Sequence, residues 1–316
     1  MTVLGLDTSN YRTSAALIST DGQVQMNYRE LLPVSPGERG LRQNEAVFAH
    51  LKQLGAAGDM LRQTGDGQIA AIGASVAPRD GNDSYMPVFQ AGASFGKLMA
   101  AMLHIPFVAT THQRGHLAAA ALGTELEEAD RYLALHLSGG TTDLLEVREE
   151  AVHLIGGSLD LHAGQLVDRA GVALGMRFPA GPELEALAQR GKSKSLLGCS
   201  MCNDDLSCHL SGAESQVQRW IRAQEQAPED IAREIYDFLA RTVSRLILAG
   251  QKKTGLGSVL ITGGIASSAL FRKMLAERIA GRGGTPRLVF GKPELSGDNA
   301  VGVAFIALKA WQKGQQ

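Results

Sequence analysis

Two histidines spaced four residues apart are the first residues in this 316-residue chain whose types and spacing suggest chemistry. His112 and His116 follow the β-like run IPFVAT, and a cap at Thr110 or Thr111 would start a helix that carries both imidazoles on one face. This spacing lets two imidazoles bind one metal ion, but a third ligand must come from elsewhere. The alternative interpretation is that both histidines only decorate the start of a helix.

A carboxylate that could complete the ligand set is Asp298, which lies in SGDNA just before an Ala- and Val-rich helix. Two histidines and one carboxylate can hold a metal and leave coordination positions open for a substrate. A helix cap is the other interpretation of Asp298. A zinc peptidase would need Glu directly after the first histidine as its general base, and this chain has Gln113 there, so that chemistry is not expected.

Glycine pairs follow two of the predicted strands and could bind phosphate. Gly139 and Gly140 lie in a predicted hairpin over residues 132–147, and Gly263 and Gly264 lie between the strand-like SVLIT and a predicted helix. Backbone N–H groups in such turns can point at phosphate oxygens, and neighbouring Ser and Thr hydroxyls add donors. A tight turn without a ligand is the alternative for each pair taken singly.

The predicted elements that position these residues alternate between strands and helices, which favours an α/β protein with mixed sheets. A first hairpin is predicted over residues 3–19, and its layout resembles that of the second hairpin, which suggests a duplicated lobe. Helices are predicted over 92–104 and 228–255, and an irregular loop over 191–210. Two hydroxyl-rich hairpins followed by a strand, a glycine pair and a helix resemble the phosphate and adenosine elements of the actin, hexokinase and Hsp70 type of ATP fold.

This resemblance implies the actin-like ATPase (ASKHA) fold, with two RNase H-like lobes and a central cleft. We expect residues 1–115, completed by the C-terminal helix 299–316, to form the first lobe and residues 116–298 the second. The segment around Asp168 and the turn PAGP, which contains Gly181, would face the cleft. Solvated surface is the alternative interpretation of Asp168.

The charge balance argues against a global attraction to nucleic acid or anionic membranes, because 31 Lys and Arg stand against 32 Asp and Glu. An RNA substrate would need a local basic patch or a helper protein. The amino terminus does not fit a signal peptide and no apolar run is long enough to span a bilayer, so we expect a cytoplasmic protein without a membrane partner. Cys199, Cys202 and Cys208 contain one C-x2-C pair without a second, and loop thiols are the expected interpretation.

The ordered motifs of the whole chain resemble the TsaD family, the tRNA threonylcarbamoyladenosine synthases that were long called O-sialoglycoprotein endopeptidases. The motifs are GLDTS at the start, H-x-x-G-H at 112–116, SGG at 138–140, Asp168 with PAGP, LSGAES at 210–215, TGG at 262–264 and SGDNA at 296–300. The resemblance implies that His112, His116 and Asp298 hold one divalent metal, iron or zinc.

The resemblance also implies a site for an adenine nucleotide or threonylcarbamoyl-adenylate. The residues expected to contact this ligand are Leu137, Ser138, Gly139, Gly140, Thr141, Asp168, Gly181, Gly263, Gly264 and Ser268. Further phosphate contacts are expected from Thr8, Ser9, Arg12 and Arg114.

Members of the family transfer the threonylcarbamoyl group from threonylcarbamoyl-adenylate to N6 of adenosine 37 in tRNA and release AMP. The partners implied are tRNA, an inert homologue of the TsaB type and a small ATPase of the TsaE type. The homologue and the ATPase would also explain how a nearly neutral chain gains enough positive surface to hold tRNA.

Several positions depart from the family pattern. Tyr11 and Arg12 replace an acidic pair, Arg114 replaces the Glu of HxEGH, Thr141 replaces a His, and Ser268 replaces an Asn. Two arginines in place of acids would favour a more anionic ligand. The chain therefore resembles a diverged paralogue, and the alternative function is a non-catalytic protein that binds an adenine nucleotide or adenylate and regulates or scaffolds the modification machinery.

Overall fold

The computed structural model describes residues 1–9, 12–33, 41–64, 67–81, 84–149, 151–280 and 286–315, so the predicted departure at Tyr11 lies outside the described residues. The chain forms two compact units, one of residues 1–123 with 297–316 and one of residues 124–296. The predicted boundary at residue 115 falls inside a helix, His112–Ala121, which belongs entirely to the first unit.

Both units contain strands and helices in alternation. The strands are β1 (Thr2–Thr8), β2 (Arg12–Ser19), β3 (Val24–Leu31), β4 (Ile69–Ala77), β5 (Phe107–Thr111), β6 (Arg131–Leu137), β7 (Thr142–Arg148), β8 (Ala151–Ser158), β9 (Ser200–Met201), β10 (Ser207–His209), β11 (Ser258–Thr262) and β12 (Arg287–Phe290). The helices are α1 (Gln43–Thr64), α2 (Phe89–Leu103), α3 (His112–Ala121), α4 (Ala163–Ala173), α5 (Gly181–Ala188), α6 (Ser211–Ala223), α7 (Pro228–Thr254), α8 (Ala269–Ala280) and α9 (Val301–Lys313). No helix among these described residues is long and apolar enough to cross a membrane.

The two sheets share one strand order. The first unit has the order β3-β2-β1-β4-β5, and the second has β8-β7-β6-β11-β12 with β10 and β9 added beyond β8. In each unit the first three strands pair with one another in antiparallel fashion, and the next two strands of this order join in parallel. The duplicated lobe predicted from the two similar hairpins is therefore confirmed.

The predicted hairpins and helices lie where the apolar patterns placed them. β1 pairs with β2 from Thr2 opposite Ser19 to Thr8 opposite Thr13, and β6 pairs with β7 from Arg131 opposite Arg148 to Leu137 opposite Thr142. All seven residues of β1 are buried, as expected for a central strand covered on both faces. The predicted helices over 92–104 and 228–255 correspond to α2 and α7.

The segment predicted as an irregular loop over 191–210 contains the two short strands β9 and β10, which extend the second sheet. β10 pairs in parallel with β8, and this long-range pairing leaves no periodic signal in so short a segment. Acidic side chains of α7 hold the preceding stretch, because Glu234 accepts hydrogen bonds from the backbone of Lys194 and Leu197. The prediction of a long loop was wrong for residues 200–201 and 207–209.

Candidate metal centre and glycine turns

The start of α3 places both histidines of the predicted metal site. Thr111 has an extended backbone and its Oγ1 accepts a hydrogen bond from the Arg114 N–H at 3.4 Å, so Thr111 is the N-cap predicted as one of two alternatives. His112 and His116 then lie one turn apart on the same face of the helix. Their Nε2 atoms are 3.0 Å apart.

Asp298, the third candidate ligand, is placed beside α3 because α9, which follows it, packs against α3. A Cβ at Gly302, in the first turn of α9, would overlap the backbone of Gly115 and Ala119 in α3. A Cβ at Gly5 of β1 would likewise overlap the backbone of Ala300 and Ala304. The backbone of α9 therefore packs directly against α3 and β1, with no side chain at these glycines to separate them. Asp298 stands just before α9 and is therefore carried to the first turns of α3.

Asp298 faces both histidines. Its Oδ1 lies 3.2 Å from His116 Nε2 and 3.6 Å from His112 Nε2. It is not the cap of α9, since Asn299 Oδ1 accepts the hydrogen bond from the Val301 N–H at 3.0 Å. The helix-cap interpretation of Asp298 therefore does not hold.

The three facing atoms have the spacing of ligands around one ion. Two ligand atoms that are each about 2.1 Å from a metal and about 90–110° apart lie about 3.0–3.5 Å from each other, and the three observed separations run from 3.0 to 3.6 Å. Two imidazoles and a carboxylate are donors that suit zinc or iron. Among the residues that the structure describes, this is the only group of three or more His, Cys, Asp or Glu side chains placed to hold a metal ion.

A fourth polar residue, Asp7, lies behind His112. Its Oδ2 is 2.6 Å from Nδ1 of His112, and the residue is only 1% exposed. Asp7 is not among the residues that the sequence predicted for the site. The signal that could have found it is a carboxylate inside the apolar run of a central strand, where a buried charge requires a partner.

The acids control the protonation of the cluster. Burial disfavours the charged form of His112, but the adjacent Asp7 and Asp298 carboxylates outweigh that effect and raise the pKa of His112 to about 9. Burial acts in the opposite direction on Asp298, and there the contacts with His116, His112 and Arg12 hold the pKa of the carboxyl well below its usual range. The site therefore concentrates negative charge beside two imidazoles, which suits a cation.

Two residues near the start of β2 support Asp298. Ser9 Oγ donates a hydrogen bond to Asp298 Oδ2 at 3.4 Å, and Arg12 Nη1 donates to the Asp298 backbone carbonyl at 3.3 Å. Arg12 Nε is buried and has no hydrogen-bond partner within the part of the chain that the structure describes. Ser9 and Arg12, two of the four residues expected to contact phosphate, thus lie beside Asp298.

The other two predicted phosphate contacts have protein partners. Thr8 Oγ1 donates to the Val88 carbonyl at 2.8 Å and accepts from the Gly92 N–H at 3.1 Å, and Thr8 is fully buried. Arg114 binds Asp80 in a bidentate pair, with Nε and Nη2 at 2.8–2.9 Å from the carboxylate oxygens. Asp80 thus neutralises one of the two arginines that were expected to favour an anionic ligand.

In the second unit, the β6–β7 turn holds the predicted ligand-binding residues 137–141. The Ser138 N–H donates to the Thr141 carbonyl at 2.8 Å, and Ser138 Oγ accepts from the Gly140 N–H at 3.3 Å. The start of α4 packs against this turn, because the Gly164 N–H donates to the Ser138 carbonyl and Thr142 Oγ1 accepts from the Ala163 N–H. Gly139 and Gly140 themselves face open space.

The second glycine pair lies beside the first turn. Gly263 has φ +100°, and a Cβ there would lie 2.2 Å from the carbonyl oxygen of Leu137. Ser268 Oγ accepts a hydrogen bond from the Phe271 N–H at 3.1 Å in the first turn of α8. Leu137 and Gly263 therefore lie side by side at the carboxyl ends of the paired strands β6 and β11.

Asp168 shapes the PAGP turn. Its Oδ1 accepts the Ala180 N–H at 2.9 Å, and burial raises the pKa of this carboxyl although that hydrogen bond opposes the shift. The Gly181 carbonyl accepts from Tyr236 Oη at 3.2 Å. Asp168 is thus bound to protein backbone and is not a freely solvated surface group.

The cysteines are free thiols. Cys199 Sγ accepts from Thr242 Oγ1 at 3.2 Å, and Cys208 is fully buried, which raises its pKa to about 12. They do not belong to the metal-ligating group found among the described residues.

Comparison with known proteins identifies a family. The model of the family described as TsaD, tRNA N6-adenosine threonylcarbamoyltransferase, matches residues 86–305. A protein of that name from Aromatoleum aromaticum is 28% identical over 329 residues, which cover 100% of this chain and 93% of the relative. One from Chlorobium luteolum is 26% identical over 341 residues, with 100% and 95% covered.

Solved structures show the same fold at low identity. The activator of the 2-hydroxyisocaproyl-CoA dehydratase from Clostridium difficile, solved with bound ADPNP, has a TM-score of 0.55 at 15% identity and covers 100% of this chain and 97% of its own. A ROK family glucokinase from Streptomyces griseus has a TM-score of 0.54 at 12% identity, with 98% and 100% covered. Full-length HypF has a TM-score of 0.62 at 12% identity and covers 100% of this chain, which spans 47% of HypF. The predicted actin-like ATPase fold is thereby confirmed.

Proposed function

Because this chain belongs to the TsaD family of tRNA N6-adenosine threonylcarbamoyltransferases, we propose that it transfers a threonylcarbamoyl group from threonylcarbamoyl-adenylate to N6 of adenosine 37 in tRNA. The observation that carries the proposal is the convergence of His112, His116 and Asp298 at 3.0–3.6 Å. A chain that kept the fold only for packing would have no need for two histidines and an acid at this spacing.

The reaction is an acyl transfer. The adenosine N6 nitrogen forms a bond to the carbamoyl carbon, the bond from that carbon to the phosphate oxygen breaks, and AMP leaves with the electron pair. The amine loses one proton. The chain must therefore hold the adenylate phosphate and the carbamoyl group in fixed positions while the nucleotide departs.

His112, His116 and Asp298 would hold the metal, which we propose to be zinc or iron. When bound, the metal supplies Lewis-acid chemistry to a carbonyl oxygen of the ligand. Ser9 binds the Asp298 carboxylate and Arg12 binds the Asp298 backbone carbonyl, so both help to keep this residue in place. Arg12 also brings a positive charge that suits an anionic group of the ligand.

The adenylate would bind the glycine turns of the second unit. Gly139 and Gly140 are exposed, and no side chain crowds the position of a Cβ at either residue. The Gly140 N–H, which donates to Ser138 Oγ, would exchange that hydrogen bond for one to a phosphate oxygen, and Ser138 and Thr141 would supply further polar groups. Gly264 is open as well and precedes the first turn of α8, where Ser268 lies. Asp168 positions the PAGP turn, and Gly181 with it, through the Ala180 N–H.

We propose tRNA as the acceptor, with an inert homologue and a small ATPase as partners. The formal net charge of −1 gives little long-range attraction to RNA. Partner proteins that add basic surface would provide that attraction.

A second candidate function is suggested by Arg12 and Arg114, which stand where the family pattern has acidic residues. In this alternative, the chain binds an adenine nucleotide or adenylate without transfer and regulates or scaffolds the modification machinery. Both functions require the ligand to bind, but only the transferase forms a modified nucleoside.

The test is a reconstituted transfer assay. Zinc-loaded or iron-loaded protein is mixed with threonylcarbamoyl-adenylate, unmodified tRNA and the partner proteins, and the modified nucleoside is measured by mass spectrometry. His112→Ala and Asp298→Asn are compared with His153→Ala, which changes an exposed histidine of β8 in the second unit.

Product from the wild type and from His153→Ala, with at least a hundredfold less from His112→Ala, supports the transferase. Adenylate binding without any product from the wild type overturns the proposal and favours the non-catalytic alternative. Equal product from His112→Ala would contradict the role of the metal centre.

A further inference from the structure

The contact between Asp7 and His112 has a geometry that sets it apart from the other charged contacts of the first unit. Asp7 Oδ2 is 2.6 Å from His112 Nδ1, at the opposite side of the ring from the Nε2 atom that faces His116 and Asp298. The other carboxylate oxygen, Oδ1, is buried and has no partner among the described residues. The carboxylate of Asp7 thus has His112 as its one side-chain hydrogen-bond partner in that part of the chain.

This position in the strand is costly for a charged group. All seven residues of β1 are buried, and the cross-strand neighbour of Asp7 is Ser14, whose hydroxyl is also buried and has no partner among the described residues. An ionised carboxylate in such surroundings destabilises the fold unless a partner compensates for its lost hydration. Packing alone would favour an apolar residue at this position.

We propose that Asp7 is a positioning residue for the metal centre. It accepts a hydrogen bond from Nδ1–H of His112, which holds the ring in one orientation and leaves Nε2, the atom that faces the other two candidate ligands, as the nitrogen that would bind the ion. A carboxylate behind a metal-binding imidazole also makes the ligand nitrogen more basic. The inference rests on the metal site proposed above and concerns how tightly that site binds its ion.

Asp7 does not act as a ligand itself. Asp7 contacts Nδ1 of His112, whereas His116 and Asp298 face Nε2, and Asp7 is not a member of the group of side chains placed to hold a metal. Its effect must therefore pass through the His112 ring.

Metal affinity provides a test that needs neither tRNA nor adenylate. The dissociation constant for zinc is measured by chelator competition for the wild type, Asp7→Asn and Ser14→Ala. Asn has the shape of Asp, but its amide N–H can donate to Nδ1 and so hold the tautomer that carries the proton on Nε2. We expect Asp7→Asn to weaken zinc binding by about 10–100-fold. Ser14→Ala, which changes the buried cross-strand neighbour, should leave the constant unchanged.

A second measurement tests the role of Asp7 without a substitution, in case Asp7→Asn does not fold. In the zinc-loaded wild type, proton and nitrogen NMR of the imidazoles should show Nδ1–H of His112 retained, with Nε2 unprotonated. If the ion pair is merely structural, the dissociation constant for zinc will be the same in Asp7→Asn and in the wild type. That result, or zinc bound to Nδ1 of His112, would overturn the role of Asp7 without contradicting the metal site.

Absence of zinc and iron binding by the wild type would overturn both the metal site and the role of Asp7. Zinc binding that depends on Asp7, together with no transfer to tRNA, would support the inference and contradict only the proposed reaction. The failure of the inference and the failure of the proposed function are therefore distinguishable.

Discussion

Gly302 in α9 packs directly against the Gly115 carbonyl of α3. A Cβ at residue 302 would lie 1.9 Å from that oxygen and 2.6 Å from the Ala119 nitrogen. This contact sets the distance between the two helices, and Asp298 precedes one of them while His112 and His116 begin the other. The spacing of the three candidate ligands thus depends on a position that carries no functional group.

Substitution of Gly302 by Ala should disturb both stability and metal binding. The added methyl group forces α9 away from α3, which we expect to lower the free energy of unfolding by about 1–3 kcal/mol, and the movement carries Asp298 away from the histidines. Urea unfolding and zinc competition measure the two effects. Gly58→Ala is the control, because Gly58 lies in the exposed face of α1 with nothing near its Cβ, and should gain about 0.5–1 kcal/mol. Unchanged zinc affinity in Gly302→Ala would show that the helix contact does not position Asp298.

The sequence contains enough information to predict the fold and to select the residues of the candidate metal site, but not the residues that support them. The hairpins, the glycine turns and the spacing of His112 and His116 are local patterns, and they correspond to β1–β2, β6–β7 and the start of α3 in the structure. Asp298 could be offered as the third ligand from its residue type and the family resemblance, but its contact with the histidines depends on how α9 packs and is not visible in any local pattern.

The functions expected for Thr8 and Arg114 show that local sequence patterns do not reveal which distant residue will bind a side chain. The family resemblance led us to expect phosphate contacts from both residues, but in the structure their side chains bind Val88 and Asp80, which are distant in the chain. Asp7 was missed for the same reason. Its role depends on a contact with a residue 105 positions later in the chain.

The ion pair between Asp80 and Arg114 should contribute to stability as a coupled pair. The side chains are 22% and 30% exposed, so water screens the interaction and we expect a coupling of about 0.5–1 kcal/mol. The measurement is a double-mutant cycle of Asp80→Ala, Arg114→Ala and the double variant in urea unfolding.

Arg114→Ala should also leave the binding of AMP unchanged, because the guanidinium is already engaged by Asp80. A loss of AMP affinity without any coupling to Asp80 would restore the original expectation that Arg114 contacts phosphate.

Gly263 and Gly264 should respond differently to the same substitution. Gly263 has φ +100° and a Cβ there would lie 2.2 Å from the Leu137 oxygen, whereas a Cβ at Gly264 meets nothing within 4 Å. Strain and overlap should make Gly263→Ala less stable by at least about 1–3 kcal/mol. Gly264→Ala should change the stability by less than about 0.5 kcal/mol.

Thermal unfolding of the two variants checks this prediction, and AMP titration of each variant tests the proposed nucleotide site. If both variants lose stability equally, the close approach of Gly263 to the end of β6 does not explain why residue 263 is a glycine.

Asp237 should make the stability of the second unit depend on pH in the acid range. Burial alone would raise the pKa of this carboxyl, but the Arg278 and Arg241 guanidinium groups outweigh it and hold the pKa below its ordinary value of 3.8. A lowered pKa in the folded state means that the stabilisation is present above about pH 4 and is lost as the pH falls through the folded-state pKa. Asp237→Asn should therefore cost about 1–3 kcal/mol at pH 7.

The difference between the wild type and Asp237→Asn should shrink as the pH falls from 7 toward 3, since the wild-type carboxyl becomes neutral as well. Urea unfolding at a series of pH values gives this difference directly. Glu225→Gln, which neutralises an exposed carboxylate after α6, serves as the matched control and should track the wild type at every pH. A difference that stays constant down to pH 3 would mean that shape, and not charge, explains the role of Asp237 between the two arginines.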